Sequence, residues 1–274
     1  MKTILLTLLI LNTFLFAKLN VVVSILPEET FVKAIGASYV DVSLMVRPGN
    51  SPHTYEPKPT QMRAIAKANL YFAIDVEFEK VWLPKFRALN PTMEVVDLAK
   101  GIEKRPMGKK SAKGVLDPHI WTTPTNVEKI AKSIYDALCK ADSAHSAIYA
   151  QNYQAFLTKI HATHQEIVSL FAKPQSKKKF MVFHPSWGYF AHTYGLTQIP
   201  VEVGGKSPKP RELIGLIQRA KKEHISAIFT QPEFSDQSAK LLAEALHIPV
   251  IKVSPLSADW SKNLLHIAHT IAGE

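Results

Sequence analysis

The stretch Lys179-Phe180-Met181-Val182-Phe183-His184-Pro185-Ser186-Trp187-Gly188-Tyr189-Phe190 decides the fold class. Its short apolar run, residues 180–183, predicts a buried strand that stops at a proline break. A helix is predicted over residues 188–194. A strand followed by a helix is typical of a parallel α/β sheet, in which ligands bind beyond the carboxyl ends of the strands. His184 directly follows the strand, so it stands where a ligand is expected.

The same alternation of strands and helices continues on both sides of this stretch. Before it, strands are predicted at residues 19–25, 40–46, 70–74 and 95–98, and helices at 27–35, 60–68 and 78–87. After it, strands are predicted at 198–203, 225–230 and 250–253, and helices at 211–223, 235–246 and 260–272. The predicted fold is therefore α/β, with two lobes that each contain a mainly parallel sheet flanked by helices.

A long helix is predicted between the two lobes. Residues 126–172 contain neither proline nor glycine, and apolar side chains recur there at helical spacing. A helix over residues 143–172 would be roughly 45 Å long at ~1.5 Å per residue, enough to span both lobes. The predicted organisation is a signal segment at 1–17, an N-terminal lobe at 18–125, a helical linker at 126–176 and a C-terminal lobe at 177–274.

The N-terminal segment predicts export from the cytoplasm. Lys2 precedes an apolar run over residues 4–16, and the small residue Ala17 offers a cleavage point for a signal peptide. An uncleaved anchor is the alternative. Cys139 is the only cysteine and lies far from this segment, which excludes the lipid attachment of a lipoprotein. We therefore expect an unanchored protein in the periplasm.

The formal net charge of +10 raises the question of a nucleic-acid partner. Export argues against such a partner, and so does the wide spread of the lysines along the chain. The densest basic stretch, residues 100–113, also contains glycine and proline and predicts a solvated loop. We expect no binding of nucleic acid.

Three histidines occur in similar settings. His53 lies in Ser51-Pro52-His53-Thr54-Tyr55, and His119 lies in Asp117-Pro118-His119-Ile120-Trp121; like His184, each stands beside a proline and near an aromatic residue. Imidazole is a common metal ligand, and three histidines supply most of a tetrahedral zinc site. A single histidine of this kind is more often an ordinary turn residue, so the spacing alone leaves both interpretations open.

The ordered set of motifs resembles the metal-specific solute-binding proteins of zinc and manganese ABC importers. The resemblance rests on the three histidine segments, on Gly204-Gly205-Lys206-Ser207-Pro208, and on Phe229-Thr230-Gln231-Pro232-Glu233-Phe234-Ser235. It implies two lobes joined by a rigid helix, with a metal in the cleft bound by His53, His119 and His184. It also implies a membrane permease of an ABC transporter as the partner, and we expect the chain to act as a monomer.

Two features depart from that family. Ser254 stands where family members often have an aspartate as the fourth ligand, so water or Asp259 is expected to complete the shell, and Ser254→Asp is expected to tighten zinc binding. The basic loop over residues 100–116 has no histidine, unlike the metal-scavenging loop of many zinc importers.

Three neutral imidazoles suit Zn²⁺, Cu²⁺ or Ni²⁺ better than Mn²⁺, and periplasmic import favours Zn²⁺. Glu56 and Asp117 are candidates for orienting the ligand imidazoles. The aromatic residues beside the histidines either exclude water from the cleft or belong to the core: Tyr55, Trp121, Trp187 and Tyr189.

Two other functions remain open at this point. A zinc-dependent hydrolase could use the same three histidines and a metal-bound water, but the chain has neither a His-Glu-x-x-His nor a Gly-x-Ser-x-Gly motif. A metal-stabilised surface adhesin has no direct support in the sequence. We therefore predict a binding protein and not an enzyme.

Overall fold

The computed structural model describes residues 18–107, 116–175, 177–203, 206–225 and 227–273. The predicted signal segment at 1–17 lies outside these residues, as does part of the basic loop. No helix in the described ranges combines the length and the apolar character needed to cross a membrane.

The N-terminal lobe is built on a parallel four-stranded sheet in the order β2-β1-β3-β4. Its strands are β1 (Leu19–Val23), β2 (Val40–Leu44), β3 (Leu70–Ala73) and β4 (Glu94–Asp97). The helices between them are α1 (Leu26–Gly36), α2 (Pro59–Lys67) and α3 (Glu77–Leu89). The alternation predicted from the sequence is therefore confirmed in this lobe.

The C-terminal lobe repeats this plan with a second parallel sheet, in the order β6-β5-β7-β8. Its strands are β5 (Lys179–Val182), β6 (Thr197–Pro200), β7 (Ile228–Thr230) and β8 (Val250–Lys252). Its helices are α6 (Gly188–Thr193), α7 (Pro210–Lys222) and α8 (Gln237–Leu246).

Two linker helices and one returning helix join the lobes. The linker contains α4 (Pro124–Ala141) and α5 (Ser146–Ala172), and the chain ends in α9 (Trp260–Ala272). At 27 residues, α5 is about 40 Å long. It packs against α1, α4 and α9, and its residues Phe171 and His164 contact Phe190 and Tyr194 near α6. It therefore contacts both lobes, as expected of the predicted backbone helix.

Helix α9 follows the second sheet but returns to the first lobe. The ring of Trp260 meets Phe31 of α1 edge-on, with the centroids 5.7 Å apart. Its indole Nε1 donates to the carbonyl of Trp121 at 2.7 Å, and Trp121 Nε1 donates to the carbonyl of Pro255 at 2.8 Å. These buried contacts fix the second lobe against the first directly beneath the cleft.

Strand β1 ends two residues before the predicted end at residue 25. The cause is Glu28, whose carboxylate Oε2 accepts hydrogen bonds from the backbone N–H groups of Ser24 and Ile25. These two donors are thus used at the start of α1 and not in the sheet.

Candidate metal centre

The three predicted histidines meet in one pocket between the lobes. The pocket encloses about 370 Å³ of empty space, part of it open to solvent. His53 and His119 reach it from the N-terminal lobe and its following segment, and His184 reaches it from the C-terminal lobe. The lining also includes Glu77 and Glu233, two carboxylates that the sequence analysis did not identify.

His184 is held rigidly at the end of β5. Gln231 fixes its backbone, because the side-chain amide accepts from the His184 N–H at 3.3 Å and donates to its carbonyl at 2.7 Å. The ring stacks on Phe234 with a centroid distance of 4.6 Å. Ring Nδ1 lies 3.1 Å from both carboxylate oxygens of Glu202. Ring Nε2 is buried and has no hydrogen-bond partner in the described part of the chain.

His119 is held by a local contact. Its ring Nδ1 lies 2.7 Å from Asp117 Oδ1, and its backbone N–H donates to the same oxygen at 3.0 Å. The hydroxyl of Tyr189, from the other lobe, donates to the carbonyl of Asp117 at 3.0 Å. Asp117 therefore orients His119 as predicted and also joins the lobes.

His53 is the most exposed of the three. It lies in the loop between β2 and α2, and its side chain is 31% exposed. Ring Nδ1 lies 3.2 Å from Glu77 Oε2, at the first residue of α3. The orienting carboxylate is therefore Glu77, whereas the sequence suggested Glu56.

One arrangement is common to all three histidines. An ionised carboxylate can only accept a hydrogen bond, so each Nδ1 carries the hydrogen and each Nε2 keeps its lone pair. Carboxylates fix metal-binding histidines in the same way. The His184 ring centroid lies 5.4 Å from those of both His53 and His119. Rings bound through Nε2 to one tetrahedral zinc at ~2.0–2.1 Å would have centroids about 5 Å apart.

The pocket is not yet a finished coordination shell. No three His, Cys, Asp or Glu side chains in the described ranges are arranged so that they could hold a metal ion as they stand. A metal ion held by these three histidines would therefore require their side chains to move.

His53 and His184 differ in proton affinity. The hydrogen bond to Glu77 raises the pKa of His53 above its ordinary value, against the effect of partial burial. Burial lowers the pKa of His184, and this outweighs the opposing hydrogen bond to Glu202. Burial also disfavours the charged form of Glu77, but the hydrogen bond and charge of His53 hold the pKa of that carboxyl at about 2.

Neither Ser254 nor Asp259 lines the pocket. The Ser254 hydroxyl donates to Glu233 Oε1 at 2.7 Å. Asp259 is an exposed residue before α9, where its carboxylate accepts from the Lys262 N–H at 3.4 Å. An aspartate at position 254 would meet the Glu233 carboxylate, so the structure does not favour the tighter binding expected for Ser254→Asp.

The aromatic residues near the histidines have different roles. Trp121 lines the pocket, and Tyr189 bonds to Asp117. Tyr55 donates to Gln61 and packs against Phe78, away from the cleft. Buried Trp187 packs against Phe190 in the core.

Comparison with known proteins assigns the family. The family model for ZnuA, the periplasmic component A of zinc-uptake complexes, matches residues 21–273. The chain belongs to the ZnuA family. It is 28% identical over 246 residues to the high-affinity zinc uptake system protein ZnuA of Bacillus subtilis (strain 168), covering 84% of this chain and 76% of that protein.

Solved structures agree with this assignment. A crystal structure of ZnuA superposes with a TM-score of 0.87 at 40% identity, covering 93% of this chain and 98% of that chain. The periplasmic zinc-binding protein TroA from Treponema pallidum shares the fold, with a TM-score of 0.82 at 19% identity over 94% of this chain and 99% of that one. The two-lobed architecture with a connecting helix is therefore that of the ZnuA family.

Three carboxylates at the site were missed from the sequence: Glu77, Glu202 and Glu233. Each follows the end of a parallel strand within a few residues, as His184 does. Ligands bind beyond the carboxyl ends of parallel strands, and this principle, which identified His184, applies to the three glutamates as well. An isolated glutamate near a strand end is common on protein surfaces, however, so its position alone does not indicate a site.

Proposed function

We propose that this ZnuA-family chain captures Zn²⁺ in the periplasm, after cleavage of its signal peptide near Ala17, and delivers it to the permease of an ABC importer. The proposed ligands are the Nε2 atoms of His53, His119 and His184. The observation that carries the proposal is their convergence on one interlobe pocket, each with Nδ1 against a carboxylate. All three come from one chain, in keeping with a monomer.

The donor set supports zinc over manganese. Neutral imidazole nitrogens suit Zn²⁺, whereas Mn²⁺ favours oxygen donors. The ABC permease as partner follows from membership of a zinc-uptake family. A site between two lobes also suits transport, because a change in their separation can expose or enclose the ion.

We also propose that the chain is a binding protein and not a hydrolase. A catalytic zinc keeps an open coordination position for water. If this chain only binds zinc, hydrolysis of ester and phosphoester substrates should show no zinc-dependent rate above that of a His184→Ala variant. A zinc-dependent rate that disappears in this variant would favour the hydrolase.

The test of zinc capture is a metal titration of the mature chain against a competing chelator. Metal analysis should give one zinc per chain, and His53→Ala, His119→Ala and His184→Ala should each weaken binding. His161→Ala serves as a control, since this exposed histidine on α5 lies 3.5 Å from Glu128 on a different surface. Zinc binding that survives all three cleft substitutions would contradict the proposal.

A further inference from the structure

Zinc capture by three histidines does not explain the carboxylate of Glu233. Glu233 follows β7 by three residues and lines the same pocket as His53, His119 and His184. Its Oε2 atom is fully buried and finds no hydrogen-bond partner within the described ranges. An ionised carboxylate oxygen in such a place requires a positive partner.

Ser254 fixes the orientation of this carboxylate. Its hydroxyl oxygen accepts from the Leu256 N–H at 3.0 Å, so its single proton is directed to Glu233 Oε1, 2.7 Å away. The Asn263 side chain donates to the Ser254 carbonyl at 2.9 Å and fixes the backbone. Glu233 Oε1 is thereby engaged, and Oε2 is left for another partner.

Within the described ranges, no cationic side chain meets Oε2. The described residues that line the pocket include no lysine and no arginine. Three buried acceptors of this pocket lack a hydrogen bond: Glu233 Oε2, Glu77 Oε2 and His184 Nε2, whose Nδ1 is engaged by Glu202. Glu77 Oε2 has His53 Nδ1 at 3.2 Å as an ion-pair neighbour, whereas Glu233 Oε2 and His184 Nε2 remain without a donor in the described ranges. Two acceptors cannot satisfy each other by hydrogen bonding, but a divalent cation between them satisfies both.

The other carboxylates near the site either face an imidazole nitrogen or lie outside the pocket. Glu77 Oε2 lies 3.2 Å from His53 Nδ1 and both oxygens of Glu202 lie 3.1 Å from His184 Nδ1. Asp259 is exposed outside the pocket. Glu233 is therefore the carboxylate that remains for the metal.

We propose that Glu233 Oε2 is the fourth ligand of the ion and that Ser254 is its positioning residue. This inference rests on the proposed function, since it assumes that the three histidines bind zinc. The ion would then be bound by three imidazoles and one carboxylate. The negative charge that an aspartate at position 254 would supply comes instead from Glu233, on the neighbouring loop. Four protein ligands leave no open position on a tetrahedral zinc, as in a site built for binding.

The first experiment compares zinc affinities by competition with one chelator. Glu233→Gln should weaken zinc binding about a hundredfold or more, because it replaces a charged direct ligand with a neutral amide. Ser254→Ala should weaken it about tenfold, the scale of a lost outer-shell contact to a metal site. In the Glu233→Gln background, Ser254→Ala should have little further effect, because the serine acts through the carboxylate. The control is Glu244→Gln, which removes an exposed carboxylate from α8 and should bind zinc like the parent protein.

The second experiment is a crystal structure of the zinc-bound protein. If Glu233 had only a structural role, its carboxylate would not contact the ion. Glu233 Oε2 should lie about 2.0–2.2 Å from the ion. The thermal unfolding midpoint of zinc-free Glu233→Gln should be no lower than that of the parent, since the exchange removes a buried charge. If that variant does not fold, Glu233→Asp, which withdraws the carboxylate by one methylene, should still bind zinc more weakly than the parent.

The outcomes separate the two proposals. Parent-like binding by Glu233→Gln, together with lost binding by His184→Ala, overturns the role of Glu233 and leaves zinc capture intact. A water at the fourth position in the crystal has the same meaning. Parent-like binding by both variants overturns the proposed function itself.

Discussion

His53 and His184 belong to the same pocket and have the same kind of partner, yet their surroundings differ. His184 is 8% exposed and its partner Glu202 is 9% exposed, whereas His53 and Glu77 are 31% and 36% exposed. The backbone of His184 is fixed by Gln231, and its ring stacks on Phe234. The comparison teaches that the half-site around His184 is preformed and buried, whereas the half-site around His53 faces solvent.

The largest expected effect is a difference between the two alanine variants. His184→Ala should weaken zinc binding at least about a thousandfold, or about 4 kcal/mol, because it removes the preorganised ligand. His53→Ala should weaken zinc binding about tenfold less, because part of the binding energy of His53 is offset by the entropy lost in ordering an exposed side chain. Chelator competition measures both. Equal losses, or a larger loss in His53→Ala, would break the comparison between the half-sites.

The carboxylates behind the two histidines should show the same order. Glu202→Gln should weaken zinc binding about ten- to hundredfold, the usual cost of losing the partner of a ligating imidazole. Glu77→Gln should weaken zinc binding less than about tenfold, because the His53–Glu77 ion pair is partly exposed and screened by solvent. The same titration, with Glu244→Gln as control, checks this. A Glu77→Gln loss as large as that of Glu202→Gln would show that exposure does not matter here.

The pH dependence of zinc binding should be set first by His53. Protons compete with the metal for each imidazole, and the pKa of His53 is raised while that of His184 is lowered. As pH falls, His53 is therefore protonated before His184, and affinity declines by up to about tenfold per pH unit for each proton. In Glu77→Gln the pKa of His53 should fall, so the decline should begin at lower pH.

Titrations between about pH 8 and pH 5 cover the range in which histidines titrate. The parent and Glu77→Gln should differ in the pH at which affinity begins to fall. Coincident curves would mean that Glu77 does not set the proton affinity of His53, and a flat curve in the parent would mean that carboxylates dominate the shell.

The smallest expected effect tests the contact between the lobes beneath His119. A Cβ on Gly188 would lie 2.5 Å from Asp117 Oδ2, so Gly188→Ala must displace the carboxylate that orients His119. We expect zinc binding about three- to tenfold weaker, below the usual ten- to hundredfold cost of losing such a partner entirely. Zinc affinity unchanged by Gly188→Ala would show that Asp117 adjusts without moving the imidazole.

Gly215→Ala is the matched control for that variant. Gly215 lies within α7, and a Cβ there meets no atom within 4 Å. The exchange should leave zinc binding unchanged and stabilise the fold by about 0.5–1 kcal/mol, the usual gain from replacing glycine inside a helix.

The parts of the site that the sequence could predict are local in sequence. The three histidines stand beside proline breaks, and Asp117 lies two residues from His119, so these contacts could be proposed from short motifs. The partner of His184, Glu202, lies 18 residues away on the far side of α6. The pairing of Glu202 with His184 depends on the placement of β6 beside β5, which no local pattern specifies.

The fold shows the same division between local and long-range information. The period of the apolar residues predicted the strands and helices, and the comparison with ZnuA structures confirmed the two lobes. The return of α9 to the first lobe could not be predicted, because its apolar face would suit either lobe. The contacts of Trp260 with Phe31 and Trp121 reveal its position.

The most direct test of the central claim is a zinc-bound crystal structure with the ion located by anomalous diffraction at the zinc edge. A single zinc should lie in the interlobe pocket, with the Nε2 atoms of His53, His119 and His184 about 2.0–2.1 Å away. The Nδ1 atoms should remain on Glu77, Asp117 and Glu202. A zinc held elsewhere, or bound without His184 Nε2, would contradict the account.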